Sequence, residues 1–185
     1  MYFVHDFETG GLCENASILT FYGAVLDEKF SIIDEIEFSI KPENGIYVVE
    51  ARALEINKIN ILEHNRIARP VSECAQILKD FLLKHTNFRN KKLCFCGHNV
   101  YFDNELLKKH LLLEPSEFYF HRHNLDTAST ALVLKSLGKL PKNFNISLVN
   151  LAELYGIDAT NAHQSKADVF LTIAVLKKMM AELKT

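Results

Sequence analysis

The chain has 185 residues, of which 48% are hydrophobic, and this size and composition are typical of one domain with a substantial core. We therefore expect residues 1–185 to form a single domain. The formal charge of −2 gives no overall basic surface, which argues against a protein that binds long duplex nucleic acid.

The first predicted element is a strand within residues 3–11, FVHDFETGG, and it carries two acids in an apolar run. Period-two alternation puts Asp6 and Glu8 on one face, together with Tyr2 and Val4. A solvated edge strand would explain such a pair. Large apolar residues on both faces, however, indicate a strand buried from both sides, in which each carboxylate needs a partner.

Two further strands and two helices are predicted next. The segments SILTFYGAVLDE (17–28) and SIIDEIEFSIKP (31–42) are rich in β-branched and aromatic residues around a polar turn, which indicates an antiparallel meander. Helical spacing follows in residues 50–59 and in residues 72–86, where Ser72 is a candidate N-cap.

Strands and helices alternate in the second half of the chain. KLCFC (92–96) predicts a strand, residues 101–113 predict a helix, and EFYFH (117–121) predicts another strand. Asp126 is a candidate cap for a helix over residues 127–138.

The last part of the chain is predicted to be helical, over residues 146–156 with Gly156 at the end, and over residues 165–184. A meander followed by alternating strands and helices predicts an α/β fold. We expect a mixed five-stranded sheet, with antiparallel strands first and parallel strands later, flanked by helices.

The cysteines and the hydropathy pattern indicate a cytoplasmic protein. The four cysteines lack C-x-x-C spacing, which favours reduced thiols over a disulfide framework. Cys94, Cys96 and His98 raise the alternative of a zinc site, but no second ligand pair follows, so buried thiols are favoured. Without a leader pattern or a membrane-spanning apolar run, no membrane partner is expected.

Two further acids are predicted to point inward. Asp103 shares a helix face with Leu106 and Leu107, although the positive end of the helix would by itself favour an acid there. Asp168 also lies on an apolar helix face, and its spacing from Ser165 leaves a capping box as the alternative. Four inward carboxylates, with Asp6 and Glu8, require a cavity or a cation, because their uncompensated burial is costly.

Three ordered motifs, DFETGGL, GHNVYFDNELL and AHQSKAD, resemble those of the DEDDh 3′-to-5′ exonucleases of the DnaQ-like superfamily. The segments LDTASTALVL and SLVNLAELYGI, together with the last helix, also resemble the proofreading exonucleases of bacterial replicases. The resemblance implies a ribonuclease H-like fold in which the first strand is central.

The resemblance also implies the chemistry. Asp6, Glu8, Asp103 and Asp168 would hold two divalent cations, Mg²⁺ or Mn²⁺, with Asp6 shared between them. His163 would be the general base, a role that suits a side chain that titrates near neutral pH. The implied reaction releases 5′-mononucleotides from single-stranded or frayed DNA with a free 3′ end.

Three residues match family positions that bind the terminal nucleotide: Thr9, Leu12 and Phe102. Each has a structural alternative, because Thr9 could finish the strand, Leu12 could pack in a loop and Phe102 could be core, which we favour for Phe102. His98 and Asn99 are expected to orient Asp103 rather than to act in catalysis.

Some alternatives stay open on the sequence alone. The fold would equally serve an exoribonuclease or an oligoribonuclease, or a non-catalytic module associated with a polymerase. Clustered acids and His163 argue against the non-catalytic module. The absence of a long tail after the last helix favours a free-standing nuclease, with a DNA polymerase as a further candidate partner. Gly10 replaces a threonine that is common in the family, which would loosen the turn after the strand.

Overall fold

The computed structural model describes residues 1–87 and 90–184, and its centre is a six-stranded mixed sheet. The strands are β1 (Tyr2–Thr9), β2 (Ile18–Leu26), β3 (Ile32–Lys41), β4 (Arg69–Pro70), β5 (Leu93–Gly97) and β6 (Phe120–Asp126). Their order across the sheet is β4-β3-β2-β1-β5-β6. The meander β1-β2-β3 is antiparallel, while β5 and β6 continue the sheet in parallel with β1.

This architecture confirms the predicted α/β fold with a mixed sheet and a central first strand. The two-residue strand β4 adds a sixth member to the five that were predicted, and it pairs in parallel with the end of β3. Its pairing could not be predicted, because two residues are too few to show any alternation.

Helices cover both faces of the sheet. Their bounds are α1 (Ala51–Asn57), α2 (Ile61–Ile67), α3 (Val71–His85), α4 (Val100–His110), α5 (Thr127–Ser136), α6 (Leu148–Leu154) and α7 (Ser165–Glu182), with a 3₁₀ turn at Ser116–Phe118. The sequence prediction missed α2. Its signal was the cap at Asn60, whose side chain accepts hydrogen bonds from the N–H groups of Leu62 and Glu63.

Two packed layers explain why β1 is apolar on both faces. On one face, α3 and α4 cover an aromatic core, whose members include Phe3, Phe7, Phe21, Phe38, Phe95 and Phe120. On the other face, Val169 and Leu176 of α7 pack against Val4 and Cys96. The central strand is therefore held on both sides, which fixes the direction of its polar side chains.

Two predicted boundaries differ from the structure. Ser72 is not an N-cap, because α3 already begins at Val71, directly after Pro70, and the Ser72 N–H donates to the Glu43 carboxylate instead. The strand predicted over residues 117–121 begins at Phe120, because residues 116–118 form the 3₁₀ turn. Turn residues and strand residues have similar composition here, so the sequence did not separate them.

Two predicted helix ends are confirmed. The Asp126 carboxylate caps α5 by accepting the Ser129 N–H at 3.0 Å. Gly156 follows α6 with φ of 67°, a left-handed conformation that favours glycine.

The cysteines are free, as predicted, but only one of the two thiols that were expected to be buried is fully buried. All four cysteines are free, and Cys96 is buried while Cys94 is half-buried. Within residues 1–87 and 90–184, the group of His, Cys, Asp or Glu side chains whose ligand atoms lie within 4.8 Å of one another contains only carboxylates, and Cys94, Cys96 and His98 are not part of it. No helix in this part of the chain is long and apolar enough to cross a membrane.

Candidate active site

Three carboxylates meet at the end of β1. One oxygen from each of Asp6, Glu8 and Asp168 lies within 4.8 Å of the other two. Alternation along β1 directs Asp6 and Glu8 toward α7, whose first turn carries Asp168. The start of α7 is also tied to the sheet, because the Ser165 hydroxyl lies 3.1 Å from the hydroxyl of Thr20, the β2 residue opposite Glu8.

Asp103 approaches this cluster from α4. Pairing between β1 and β5 ends at Val4 and Cys96, so the N–H of Phe7 has no partner in β5. The Asp103 carboxylate accepts that N–H at 3.2 Å and thereby replaces the missing strand partner. Asp103 is only 8% exposed, in agreement with the inward direction predicted from its helix face.

Burial makes all four carboxyl groups hard to ionise, and repulsion between neighbouring carboxylates adds to this effect at Asp6, Glu8 and Asp103. Burial is the main cause of the high pKa of Asp6, and the charges of Asp103, Asp168 and Glu8 raise it further. The same two causes, burial and neighbouring charge, raise the pKa of Glu8 to about 8. Burial raises the pKa of Asp103 to about 7, although the Phe7 N–H opposes that rise. Burial also raises the pKa of Asp168.

This group of acids fits a divalent cation. No lysine or arginine forms an ion pair with any of the four carboxylates within the described part of the chain. Buried carboxylates without a basic partner need another source of positive charge. Hard oxygen ligands of this kind are the ones that Mg²⁺ and Mn²⁺ prefer. The donor set is therefore chemically suited to such an ion.

His163 lies at the rim of the cluster, in the loop before α7. Its φ of 72° is a left-handed conformation that is uncommon for a residue with a side chain. Its N–H donates to both oxygens of Asp168, at 3.2 Å each, which holds the backbone while the side chain remains exposed. The capping-box alternative for Asp168 is wrong, because Ser165 lies inside α7 and its hydroxyl faces Thr20.

The three predicted nucleotide-binding residues differ in exposure, and two of them, Thr9 and Leu12, lie beside Glu8. Thr9 is the last residue of β1, and its hydroxyl donates to the Gly11 carbonyl at 2.8 Å. Leu12 is 86% exposed, so the alternative that it packs in a loop is wrong. Phe102 is 41% exposed, so the core position that we favoured for it is also wrong. Both apolar side chains are accessible to a ligand.

A depression of about 240 Å³ beside Glu8 was not predicted from the sequence. Its lining includes Leu12 and, from α1, Ala53 and Ile56. Asn57, at the end of α1, donates its side-chain amide to the Thr9 carbonyl at 3.1 Å and so anchors α1 to the end of β1. The sequence showed only that Ala53 and Ile56 share one helix face. It did not show that this face packs beside the end of β1.

Gly10 has the opposite effect to the one expected. A Cβ at this position would lie 2.4 Å from the Val48 carbonyl oxygen and 2.8 Å from a methyl group of Val49. The Gly10 N–H donates to Ser17, and its carbonyl accepts the Glu50 N–H. Glycine therefore allows close packing that tightens the turn, and the expected loosening is wrong.

His98 and Asn99 hold the turn that leads into α4. Nδ1 of His98 lies 2.8 Å from the Thr127 hydroxyl. Asn99 has φ of 54°, and its N–H donates to Asp126 at 2.7 Å. Both contacts fix where α4 begins. The two residues therefore influence the position of Asp103 through the helix that carries it.

The chain is similar to known proteins in sequence and in fold. The RNase T model, described as an exonuclease, matches residues 3–176. Exodeoxyribonuclease I of Escherichia coli K12 is 29% identical over 189 residues, which cover 94% of this chain and 38% of that protein. The structure of E. coli Exonuclease I with a dT13 oligonucleotide matches with a TM-score of 0.80 and 23% identity, covering 98% of this chain and 42% of that one.

A second structure, an ExoI/SSB-Ct complex, has a TM-score of 0.75 and 22% identity over 98% of this chain and 43% of that one. The chain thus spans about two fifths of the length of these relatives. The likeness confirms the DnaQ-like, ribonuclease H-like resemblance, whereas the specific resemblance to replicase proofreading subunits stays a prediction.

The raised pKa values predict how pH affects the metal-free protein. With folded-state pKa values of about 8 for Glu8 and about 7 for Asp103, the folded protein binds more protons than the unfolded chain near neutrality. Stability from these groups is thus complete at low pH and is lost as pH rises through the folded-state values. In chelator, we expect the melting temperature to fall by roughly 2–5 °C between about pH 7 and pH 8.

The matched control is Glu8→Gln, which removes one of the two titrating carboxyl groups and should reduce this dependence. Saturating Mg²⁺ should also flatten it, because a bound cation favours the ionised carboxylates. A wild-type melting temperature that rises with pH in chelator would contradict the assigned repulsion.

Charge removal at the centre of the cluster gives a second prediction. Asp6→Asn should raise the melting temperature in chelator by about 2–4 °C or more, because it relieves repulsion with little change in shape. Glu153→Gln, at an exposed position on α6, is the control and should leave it nearly unchanged. An Asp6→Asn protein that melts below wild type in chelator would show that Asp6 is not under repulsion.

Proposed function

The chain belongs to the RNase T exonuclease family, and we propose that it is a metal-dependent 3′-to-5′ exonuclease that releases 5′-mononucleotides from DNA. The observation that carries this proposal is the partly buried group of acids at the end of β1, beside the depression next to Glu8. Among the residues that the structure describes, no lysine or arginine forms an ion pair with these acids. The family match over residues 3–176 also supports one exonuclease domain in this chain.

In this proposal Asp6, Glu8, Asp103 and Asp168 would hold two divalent cations, Mg²⁺ or Mn²⁺, and Asp6 would be the ligand common to both. Such a pair of ions supplies positive charge to the attacking and leaving oxygens of a phosphodiester. The contribution of the chain is to present its oxygens on rigid elements. The central strand and the first turns of α4 and α7 supply that rigidity.

His163 is proposed as the general base that takes a proton from the attacking water. Its exposed side chain lies beside the acids, while its N–H is anchored on Asp168. The backbone anchor leaves both ring nitrogens available for proton transfer. A positioned base of this kind typically contributes about 10²–10⁴-fold to the rate.

The depression beside Glu8 is proposed to receive the 3′-terminal nucleotide. Leu12, Ala53 and Ile56 offer an apolar surface to the base and sugar. Glu8 lines this depression and also belongs to the group of acids, so the phosphate of a nucleotide bound there would lie next to the acids. Because a terminal base must leave its stack to enter, single-stranded or frayed ends are the preferred substrates.

Single-stranded DNA is the substrate best supported. The E. coli Exonuclease I structure with the same fold was determined with a dT13 oligonucleotide. An exoribonuclease or oligoribonuclease activity is the second candidate, since contacts to a terminal 2′-hydroxyl would decide it. A non-catalytic, polymerase-associated module is less well supported, because a buried set of repelling carboxylates lowers stability without aiding a scaffold.

The direct test uses single-stranded DNA and RNA of matched sequence, labelled at the 5′ end and incubated with the protein and Mg²⁺. We expect a ladder that shortens from the 3′ end, with faster loss of DNA and none in chelator. A 3′-phosphate should slow the reaction strongly. Cleavage of circular single-stranded DNA would overturn the exonuclease assignment, and faster loss of RNA would favour the second candidate.

The roles of His163 and Asp168 can be separated. His163→Ala should lower kcat by about 10²–10⁴-fold, while Mn²⁺ still raises the melting temperature. Asp168→Ala should lose both activity and much of that stabilisation, because it removes a ligand. The decisive measurement is the pH profile at saturating Mn²⁺. If His163→Ala keeps wild-type activity and loses activity at low pH in the same way as wild type, His163 is not the base.

A further inference from the structure

The edge strand β6 presents an exposed basic segment. It pairs with β5 on one side only, and it is the last strand on its side of the sheet. His121, Arg122 and His123 follow one another along it, and all three are exposed. No ion pair joins Arg122 to a carboxylate among the residues that the structure describes.

A groove of about 780 Å³ runs beside this strand, and we call it the β6 groove. Its walls come from β6, the first turns of α5 and the end of α7, with Arg122 and His123 among the lining residues. Val133 and Leu183 give it a partly exposed apolar side. Its volume lies in the upper part of the roughly 300–1,000 Å³ range of ligand sites.

The β6 groove is linked directly to the catalytic helix. Asn99 and Tyr101, at the start of α4, also line it, and the Tyr101 side chain is 73% exposed. The Asp126 carboxylate, at the end of β6, accepts the N–H groups of Asn99 at 2.7 Å and Val100 at 3.4 Å. The groove therefore has a fixed position relative to α4, which carries Asp103 two residues after Tyr101.

The acid in the groove does not oppose an anionic ligand strongly. Asp126 is the acidic residue among the lining residues. Besides the two α4 N–H groups, its carboxylate accepts the Ser129 N–H at 3.0 Å and the Ser129 hydroxyl at 2.6 Å. These donors offset its charge, so the guanidinium of Arg122 dominates the outer part of the groove.

We propose that the β6 groove binds the stretch of single-stranded DNA that precedes the 3′-terminal nucleotide. Arg122 contacts a backbone phosphate, Tyr101 stacks on a base, and the apolar side receives further bases. A second copy of the chain is a poorer occupant, because edge-to-edge pairing would bring two basic segments together. This inference rests on the proposed exonuclease function and extends it to the substrate beyond the depression.

The test compares Arg122→Ala with Arg66→Ala, which removes the same charge from an exposed position on α2, beside the β3 side of the sheet. Affinity for a 5′-fluorescent single strand of about ten nucleotides is measured by anisotropy in chelator, across a range of salt concentrations. Arg122→Ala should weaken binding roughly 3- to 10-fold. It should also reduce the salt slope, which is the slope of the logarithm of affinity against the logarithm of salt concentration, by about 1. Arg66→Ala should change neither.

Hydrolysis of a dinucleotide and of the longer strand separates this inference from the proposed function. Arg122→Ala and Tyr101→Ala should lower the ratio of kcat/KM for the long substrate to that for the dinucleotide by about threefold or more. Wild-type protein that cleaves neither substrate would refute the proposed function.

A different result would overturn only the groove assignment. In that result, wild-type protein cleaves both substrates, and Arg122→Ala has the same kcat/KM ratio and the same salt slope as Arg66→Ala. A wild-type dimer in light scattering, with oligonucleotide affinity unchanged in Arg122→Ala, would assign the groove to a second copy and would also overturn the proposal. Melting temperatures of all variants verify that the proteins are folded.

Discussion

Repulsion among the buried carboxylates at the end of β1 is the constraint on which the rest of the structure depends. Burial raises the pKa of each carboxyl group, and neighbouring charges raise the pKa values of Asp6, Glu8 and Asp103 further, so the folded chain alone resists their ionisation. A folded protein tolerates this only if the remaining packing supplies enough stability. The aromatic core under β1 and the apolar face of α7 supply it.

The same packing makes the site rigid. β1 is paired on both sides near its start, but near its end β5 has stopped, and Asp103 of α4 takes the place of a strand. His5 shows how closely the layers fit, because its buried ring lies among phenylalanines, and burial lowers its pKa to about 4. A neutral histidine there adds no charge beneath the acids.

Two surfaces extend from this rigid centre in different directions. The depression beside Glu8 is small and apolar, which suits one nucleotide. The β6 groove is larger, has a basic residue on an exposed edge strand, and is joined to α4 through Asp126. Under the proposed function, this connection would let the site act on the end of a strand while the groove holds the preceding nucleotides.

The sequence by itself determined the features that depend on local patterns within one element. Period-two alternation placed Asp6 and Glu8 on one face, helical spacing turned Asp103 inward, and Asp126 marked the start of α5. The order of the elements gave the mixed sheet, since a meander and strand-helix alternation allow few topologies. Most of the fold and the orientation of the acids were therefore predictable.

Only the tertiary structure decided the contacts between distant segments. The hydrogen bond from Phe7 to Asp103, the fit of Gly10 against Val48 and the anchoring of Thr9 by Asn57 each join residues far apart in the sequence. The burial of Phe102 was predicted wrongly, because the periodic pattern of a helix does not show which residues beside its apolar face are covered by neighbouring elements. Local propensity specifies the direction of a side chain within its own element, whereas what that side chain meets depends on how the elements pack.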